Sequence, residues 1–308
     1  MKPQIRAGFA FFWPGFTPDD FRAFFPFVYE KYDVVPSAQP EVVFYSVFAP
    51  NFTPYGDPRV SPGGVTPGPY LRVFLTGENV EPAMENCEFA MSFSQSVQHP
   101  NHLRLPLWVY ENRGWGYGPE KLVKAAVTDW EKVAAEKTEF CNYVYLHAVP
   151  FRDRIFSALS NYKRVDAAGR CMNNMNGWTV PMVPNRLAGK LDFFTRHKFT
   201  IAVENSVWPG YMTEKLVDPM YANSIPIYLG DPKARESFNP ESYVDVASFR
   251  DPGEMLEFVR AVDNDRDLYM KMLAAPFFRS NAIPDYARDD GILAFFDRIF
   301  AAALARRS

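Results

Sequence analysis

Short, fully apolar runs alternate with longer amphipathic segments along the whole chain. Apolar runs of about four to eight residues are typical of strands buried on both faces of a parallel sheet, whereas apolar residues spaced about three and four apart indicate helices. In the first third, this pattern predicts a helix from Thr17 to Tyr32 and strands over 5–12, 42–46, 71–75, 88–94 and 103–110. Residues 50–69 are rich in proline and glycine, so they are predicted to form a long loop.

A glycine- and tryptophan-rich turn at 112–120 separates this series from a second one. A predicted amphipathic helix over 121–137 follows the turn, and we interpret it as a hinge. The second series predicts a short strand or loop over 165–171, strands over 140–146, 199–205 and 225–229, and helices over 152–162, 190–197, 213–223 and 253–272. The pattern therefore predicts an α/β fold of two Rossmann-like domains facing a central cleft, with domains at 1–135 and 136–308.

Composition narrows the class of protein. The chain has 308 residues, of which 47% are hydrophobic and 22% charged, as in ordinary globular proteins. Its net charge of −3 gives no basic field for nucleic acid, while the 16% aromatic content suits a protein that stacks on sugar or base rings. Cys87, Cys141 and Cys171 are far apart, which favours reduced thiols over disulfides or zinc ligands. No apolar run approaches the ~18 residues of a membrane span, so we expect a cytoplasmic protein.

Candidate chemistry concentrates in residues 199–215, FTIAVENSVWPGYMTEK. Glu204 and Asn205 directly follow a predicted strand, and Glu214 and Lys215 open the next helix after Thr213, a good N-cap. The first turn of a helix offers free N–H groups to phosphate oxygens, and a carboxylate can accept hydrogen bonds from a ribose diol. Taken singly, each residue is more often structural, since an acid in the first turn simply complements the helix dipole. Together they predict a site for a nucleotide diphosphate.

The stretch AVENSVWPGYMTEKLVDPMYANSIPIYLG, continued by GDPKARESFNPESYVDVASF, resembles the signature of the α-1,3/4-fucosyltransferases, glycosyltransferase family 10. Upstream, VPFRDRIFSAL, YKRVDAAGRCMNN, VFLTGENVEP and LRLPLWVY also resemble segments of that family. The resemblance covers roughly residues 70–260. It implies a GT-B type fold with an amino-terminal acceptor domain (1–135) and a carboxyl-terminal GDP-fucose domain (136–308), the last helix packing back on the first domain.

The resemblance also implies an inverting reaction that moves L-fucose from GDP-β-L-fucose to a GlcNAc or Glc hydroxyl of an acceptor such as LacNAc or lactose. Glu78 aligns with the general base and Arg152 with an arginine at the diphosphate. The other aligned donor-site residues are Asn205, Tyr211, Glu214 (towards ribose) and Lys215 (towards phosphate). We expect no cofactor and no essential metal, because the nearest match to an Asp-x-Asp motif, DNDRD at 263–267, is interpreted as a solvated surface.

Several positions depart from the family pattern. Tyr145-Leu146-His147 stands where the family often has Ser-Asn, and Val203 replaces a phenylalanine. Pro219 is expected to kink or end the helix that contains it. Glu81 and Glu85 are alternative bases from spacing alone, although their default interpretation is a solvated surface. A set of rings could form an acceptor platform or simply pack in loops and core: Trp13, Tyr55, Tyr70, Trp115 and Tyr117.

Alternative functions stay open on the sequence alone. They are a GT-B glycosyltransferase with another nucleotide sugar, α-1,4 regiochemistry, and a non-catalytic nucleotide- or glycan-binding protein. The carboxyl-terminal segment DRIFAAALARR is an amphipathic helix that either docks on the protein, which its phenylalanines favour, or touches an anionic membrane surface. We expect a bacterial origin, since the chain shows no membrane anchor of the Golgi type.

Overall fold

The computed structural model describes residues 2–48, 64–181 and 186–307, and the chain forms two compact units. The first unit comprises Met1–Pro119, Trp208–Thr213 and Pro284–Ser308, and the second comprises Glu120–Val207 and Glu214–Ile283. Most of the predicted loop over 50–69, including Tyr55, lies outside the described residues. The domain boundary predicted at residue 135 stays a prediction, because a division into compact units does not show where an independently folding domain ends.

The first unit contains a six-stranded parallel sheet in the order β2-β1-β3-β4-β5-β6. Its strands are β1 (Gln4–Ala10), β2 (Asp33–Pro36), β3 (Val42–Tyr45), β4 (Leu71–Leu75), β5 (Phe89–Ser92) and β6 (His102–Arg104). Because all pairs are parallel, the carboxyl ends of these strands meet at one edge, where polar residues such as Glu78 follow β4.

Helices α1 (Pro18–Phe24), α2 (Pro26–Lys31) and α9 (Asp289–Ala305) complete the first unit. The single helix predicted from Thr17 to Tyr32 is two helices, because Pro26 has no N–H to continue α1 and instead opens α2. The apolar face of α9 is buried, and the ring of Phe296 contacts those of Phe21, Phe25 and Phe44. Within the described ranges, no helix is long and apolar enough to cross a membrane.

The second unit contains a five-stranded parallel sheet in the order β11-β10-β9-β7-β8. The strands are β7 (Glu139–Tyr143), β8 (Val165–Ala167), β9 (His197–Val203), β10 (Ile225–Leu229) and β11 (Val244–Asp245). The helices are α3 (Trp130–Ala135), α4 (Pro150–Ser160), α5 (Arg186–Thr195), α6 (Glu214–Tyr221), α7 (Pro252–Asn264) and α8 (Arg266–Ala274). Helix α4 follows β7 and α6 follows β9, so both helices begin at the carboxyl edge of the sheet.

The helix predicted over 121–137 is wrong for most of its length, since only α3 is helical apart from a short 3-10 turn at Pro119–Leu122. Both backbone groups of Lys124 are used by Asn281, which accepts from its N–H and donates to its carbonyl at 2.9 Å each. A residue paired in this way cannot supply the local hydrogen bonds of a helix. Helix α3 therefore begins only after Asp129, whose side chain caps it by accepting from the Lys132 N–H.

Other predicted elements end early or are divided. The strand over 103–110 ends at Arg104, and a 3-10 turn at Leu107–Val109 follows Pro106. The helix over 253–272 is divided into α7 and α8 by Asp265, whose side chain accepts from the Leu268 N–H and caps the second helix. Pro219 lies inside α6, which ends at Tyr221.

Candidate active site

The β9–α6–β10 unit forms as predicted, with β9 and β10 paired in parallel. The Glu204 N–H donates to the Leu229 carbonyl at 2.8 Å, which extends the ladder one residue beyond β9. This pairing fixes Glu204 at the carboxyl edge, where its side chain is fully buried. A Cβ at Gly230 would lie 2.5 Å from Glu204 Cγ, so only glycine leaves room for this carboxylate.

Lys215, in the first turn of α6, lies between two carboxylates. Its Nζ is 3.4 Å from Glu204 Oε2 and 3.4 Å from Glu214 Oε1. Glu214 also lies 3.9 Å from Lys190 Nζ, and Lys190 pairs with Asp218 at 2.8 Å. All five side chains are at most 20% exposed. The result is an alternating network of charges, in which each charge helps to offset the cost of burying its neighbour.

Arg152, on the first turns of α4, differs from Lys215 because it packs against an aromatic ring. It is only 3% exposed, and its guanidinium carbon lies 3.8 Å from the centre of the Tyr145 ring. One Nη donates to the His147 carbonyl at 3.2 Å. Its Nε and other Nη are buried without a hydrogen-bond partner in the part of the chain that the structure describes. Since buried polar groups are nearly always paired, this guanidinium is suited to bind an anion.

The remaining predicted donor residues lie in two places. Asn205 is half-buried beside Glu204, and its Oδ1 accepts a hydrogen bond from Ser206 Oγ at 3.3 Å. Tyr211 belongs to the first unit, where its ring meets that of Phe93 edge-on at 5.4 Å and is 2% exposed. Arg152, Asn205, Glu214 and Lys215 belong to the second unit. The donor-binding roles of all five residues stay predictions.

Glu78 is the half-buried carboxylate that follows β4 in the first unit. Its N–H donates to Thr76 Oγ1 at 3.1 Å, which fixes the turn after the strand. Glu81 is half-buried and is not simply a solvated surface acid, because its Oε1 accepts from Ser94 Oγ and Ser96 Oγ, each at 2.7 Å. Glu85 is exposed. These contacts give Glu81 a structural role, and the role of Glu78 as the base stays a prediction.

The sequence reasoning missed three contributors to the site of the second unit: Tyr145, Lys190 and Asp218. Only Tyr145 carried a signal, since it was one of the departures from the family pattern. DNDRD is also not simply a solvated surface, because Asp263 pairs with Lys198 at 2.8 Å and Lys163 at 3.1 Å while its own side chain is 2% exposed. Among residues 2–48, 64–181 and 186–307, no group of three or more His, Cys, Asp or Glu side chains is arranged to hold a metal ion.

Two parallel sheets with helices, each with polar residues at its carboxyl edge, define an α/β protein of the GT-B type, as predicted. Residues 7–110 match the model of the α-(1,3)-fucosyltransferase FucT N-terminal domain, and residues 132–275 match glycosyltransferase family 10 (fucosyltransferase) C-term. The chain belongs to glycosyltransferase family 10, and the resemblance seen in its sequence is confirmed.

Two relatives agree with this assignment, and a solved structure has a similar fold. Protein R654 of Acanthamoeba polyphaga mimivirus is named as a fucosyltransferase. It is 35% identical to this chain over 50% of this chain and 26% of its own length. The α-(1,3)-fucosyltransferase FucT of Helicobacter pylori is 26% identical over 66% of this chain and 46% of its own. The chain thus spans less than half the length of either relative. The fold resembles a crystal structure of an α1,3-fucosyltransferase with GDP-fucose, with a TM-score of 0.73 and 23% identity over 97% of this chain and 91% of that one.

Proposed function

We propose that the protein is an inverting α-1,3-fucosyltransferase that moves L-fucose from GDP-β-L-fucose to a GlcNAc or Glc hydroxyl of a LacNAc-type acceptor. The observation that carries the proposal is the buried guanidinium of Arg152, which has two unpaired nitrogen atoms at the carboxyl edge of the sheet. A diphosphate is the anion that this family's donor would bring to such a group.

The second unit supplies the donor contacts of the proposal. Arg152 and Lys215 bind the diphosphate, Glu214 faces the ribose, and Asn205 adds an amide beside them. Tyr211 is assigned to the same donor from the family pattern. As GDP leaves, negative charge develops on its terminal phosphate, and fixed cations and N–H groups stabilise that charge. The proposed reaction requires no cofactor and no essential metal.

The proposed chemical step is a single displacement. The acceptor hydroxyl oxygen forms a bond to the anomeric carbon of fucose while the bond from that carbon to the phosphate oxygen breaks. The electron pair leaves with GDP, and the hydroxyl proton passes to the Glu78 carboxylate. A base placed in this way typically accelerates such a reaction about 10²–10⁴-fold. Attack opposite the leaving group converts the β-linked donor into an α-fucoside.

The first unit is the proposed acceptor side. Three of its rings remain about one-third exposed: Phe11 at 37%, Trp13 at 36% and Trp115 at 37%. Exposed aromatic faces are suited to stack on the apolar faces of sugar rings. The α-1,3 linkage is proposed by analogy with the Helicobacter pylori relative, whose name specifies α-(1,3) transfer.

Donor competition and product analysis test this proposal. The full chain is incubated with LacNAc and with GDP-fucose, GDP-mannose or UDP-galactose, and the products are resolved by mass spectrometry and NMR. We expect transfer from GDP-fucose alone, giving an α-fucose on O3 of GlcNAc. Preferred transfer from another donor would contradict the donor assignment. A 1,4 linkage would contradict the regiochemistry, and a β-fucoside would contradict inversion.

A further inference from the structure

We propose that Tyr145 is a positioning residue, which fixes the guanidinium of Arg152 for the donor diphosphate without neutralising its charge. This inference rests on the proposed donor site and adds a residue to it. The evidence lies entirely within the second unit.

The Tyr145 ring is held in place by its own hydroxyl. Tyr145 Oη donates to the Ile201 carbonyl at 2.8 Å and accepts from the Val203 N–H at 2.7 Å. The ladder between β7 and β9 ends at the pair Asn142 and Thr200, so the hydroxyl satisfies β9 backbone groups beyond that point. The phenol is thereby tied to the last residues of β9, directly before Glu204.

Two further contacts support Tyr145 from its other sides. The Tyr143 ring packs on it at 4.7 Å, and Tyr143 Oη donates to Asp153 Oδ1 at 2.7 Å, on the residue that follows Arg152 in α4. A Cβ at Gly169 would overlap the Tyr145 backbone, so glycine is required where the chain after β8 passes this position. The ring, β9 and the start of α4 are therefore linked into one rigid arrangement.

An aromatic ring can stabilise a buried guanidinium without occupying its N–H donors, whereas a carboxylate partner would occupy them. A guanidinium stays charged when it is buried, so it must be stabilised by some neighbour. A ring face attracts the cation through its quadrupole and uses none of the N–H donors. The Nε and free Nη of Arg152 thus keep their full hydrogen-bonding capacity for phosphate oxygens. Lys215, in contrast, already lies between two carboxylates.

The test compares the affinities of GDP and guanosine by isothermal titration calorimetry on the full chain. Tyr145→Leu removes both the ring face and the hydroxyl, whereas Tyr145→Phe keeps the ring. Tyr269→Leu is the matched control, because Tyr269, in α8, is also buried and also carries a cation over its ring, Lys198 at 5.1 Å. Thermal unfolding of each variant verifies that it is folded.

We expect Tyr145→Leu to weaken GDP binding about 10–30-fold while guanosine binding changes less than about twofold. Tyr145→Phe should keep the preference for GDP over guanosine within about threefold of the unmodified chain, and Tyr269→Leu should keep it fully. If Tyr145→Leu does not fold, Tyr145→Met, which fills more of the volume but has no flat face, takes its place with the same expectation.

Different results overturn different claims. If the unmodified chain binds GDP no more tightly than guanosine, the proposed donor site is wrong and this inference is wrong with it. If the unmodified chain prefers GDP and Tyr145→Leu keeps that preference, only the role of Tyr145 is wrong. An equal loss for GDP and guanosine would show that Tyr145 merely supports the fold, and a loss as large in Tyr145→Phe would exclude the ring face as the cause.

Discussion

Arg152 and Lys215 both lie at the carboxyl edge of the second sheet, but different groups stabilise their charges. Arg152 stacks on a tyrosine ring, and Lys215 is 3.4 Å from carboxylate oxygens of Glu204 and Glu214. Glu204 is fully buried, so the charge of Lys215 helps to stabilise that carboxylate, in addition to its proposed contact with the donor. We therefore expect Lys215 to combine a structural role with the proposed donor-binding role, and substitutions can separate the two.

Substitution of Lys215 by methionine should lower both the free energy of unfolding and the affinity for GDP. Removing one partner of a buried ion pair leaves the other charge poorly compensated, which typically costs about 3 kcal/mol. Loss of one phosphate-binding cation should weaken GDP binding roughly tenfold. Chemical denaturation and calorimetry on the same samples measure the two effects.

The matched variant for this experiment is the double substitution Lys215→Met with Glu204→Gln. Because glutamine has the shape of glutamate without its charge, the double variant should regain most of the lost stability. It should not regain affinity for GDP, since the cation is still missing. Recovery of GDP binding in the double variant would contradict a direct role of Lys215 at the phosphates.

Substitution of Glu78 by glutamine should abolish most of the transfer without weakening GDP binding. An amide cannot accept the acceptor proton, so the rate of transfer should fall about 10²–10⁴-fold. The proposed donor cations, Arg152 and Lys215, belong to the other unit, so the calorimetric affinity for GDP should stay the same. Glu81→Gln and Glu85→Gln are the controls, and both should retain transfer within about tenfold. An unchanged rate in Glu78→Gln, or a larger loss in a control, would overturn the assignment of the base.

At the scale of elements, prediction succeeded where local pattern and tertiary contacts agree. Strands β4 and β10 are found at their predicted residues, because each is a short apolar run with turn residues at its ends. The helix predicted over 121–137 failed, because Asn281, far along the chain, takes both backbone groups of Lys124. Such a long-range contact leaves no periodic signal in the sequence.

Helix α9 is anchored by an ionic contact that responds to acid. Glu41 is bound by Arg307, which follows α9, and by Arg6, whose Nη2 lies 3.0 Å from Glu41 Oε1. Hydrogen bonds from Arg307 lower the pKa of Glu41 to about 2, and Arg6 adds to this effect, although burial alone would raise the pKa. Because the pKa is lower in the folded state, the stabilisation is present above about pH 4.5 and is lost as the pH falls towards 2.

We expect acidification from pH 6 to pH 3 to remove about 1 kcal/mol through Glu41, a value reduced from the full shift because both arginines are partly exposed. Urea denaturation at the two pH values measures the loss. Glu41→Gln is the control, since it carries no titrating carboxylate and should lose less stability over the same range. Equal losses in both proteins would show that the contact between Glu41 and Arg307 does not stabilise α9.

For the molecule as a whole, the α/β class and the family could be predicted from the sequence, because apolar runs fix the strands and a long polar signature fixes the family. The proximity of Glu204, Glu214 and Lys215 was also readable from the sequence, since they lie within one short stretch, while their chemical roles stay predictions. The neighbouring residues that hold these charged side chains in place could not be predicted from the sequence. The hydrogen bonds that tie Tyr145 to β9 and the pairing of Lys190 with Asp218 join residues distant in sequence, and only packing reveals such contacts.

Acceptor-dependent release of GDP from GDP-fucose tests the central claim most directly. The full chain is mixed with GDP-fucose alone and with LacNAc, a type 1 disaccharide or lactose, and free GDP is measured over time. We predict that LacNAc accelerates release at least about tenfold over the rate without acceptor. Release at the background rate with every acceptor, from a chain that still binds GDP, would contradict fucosyl transfer to these glycans.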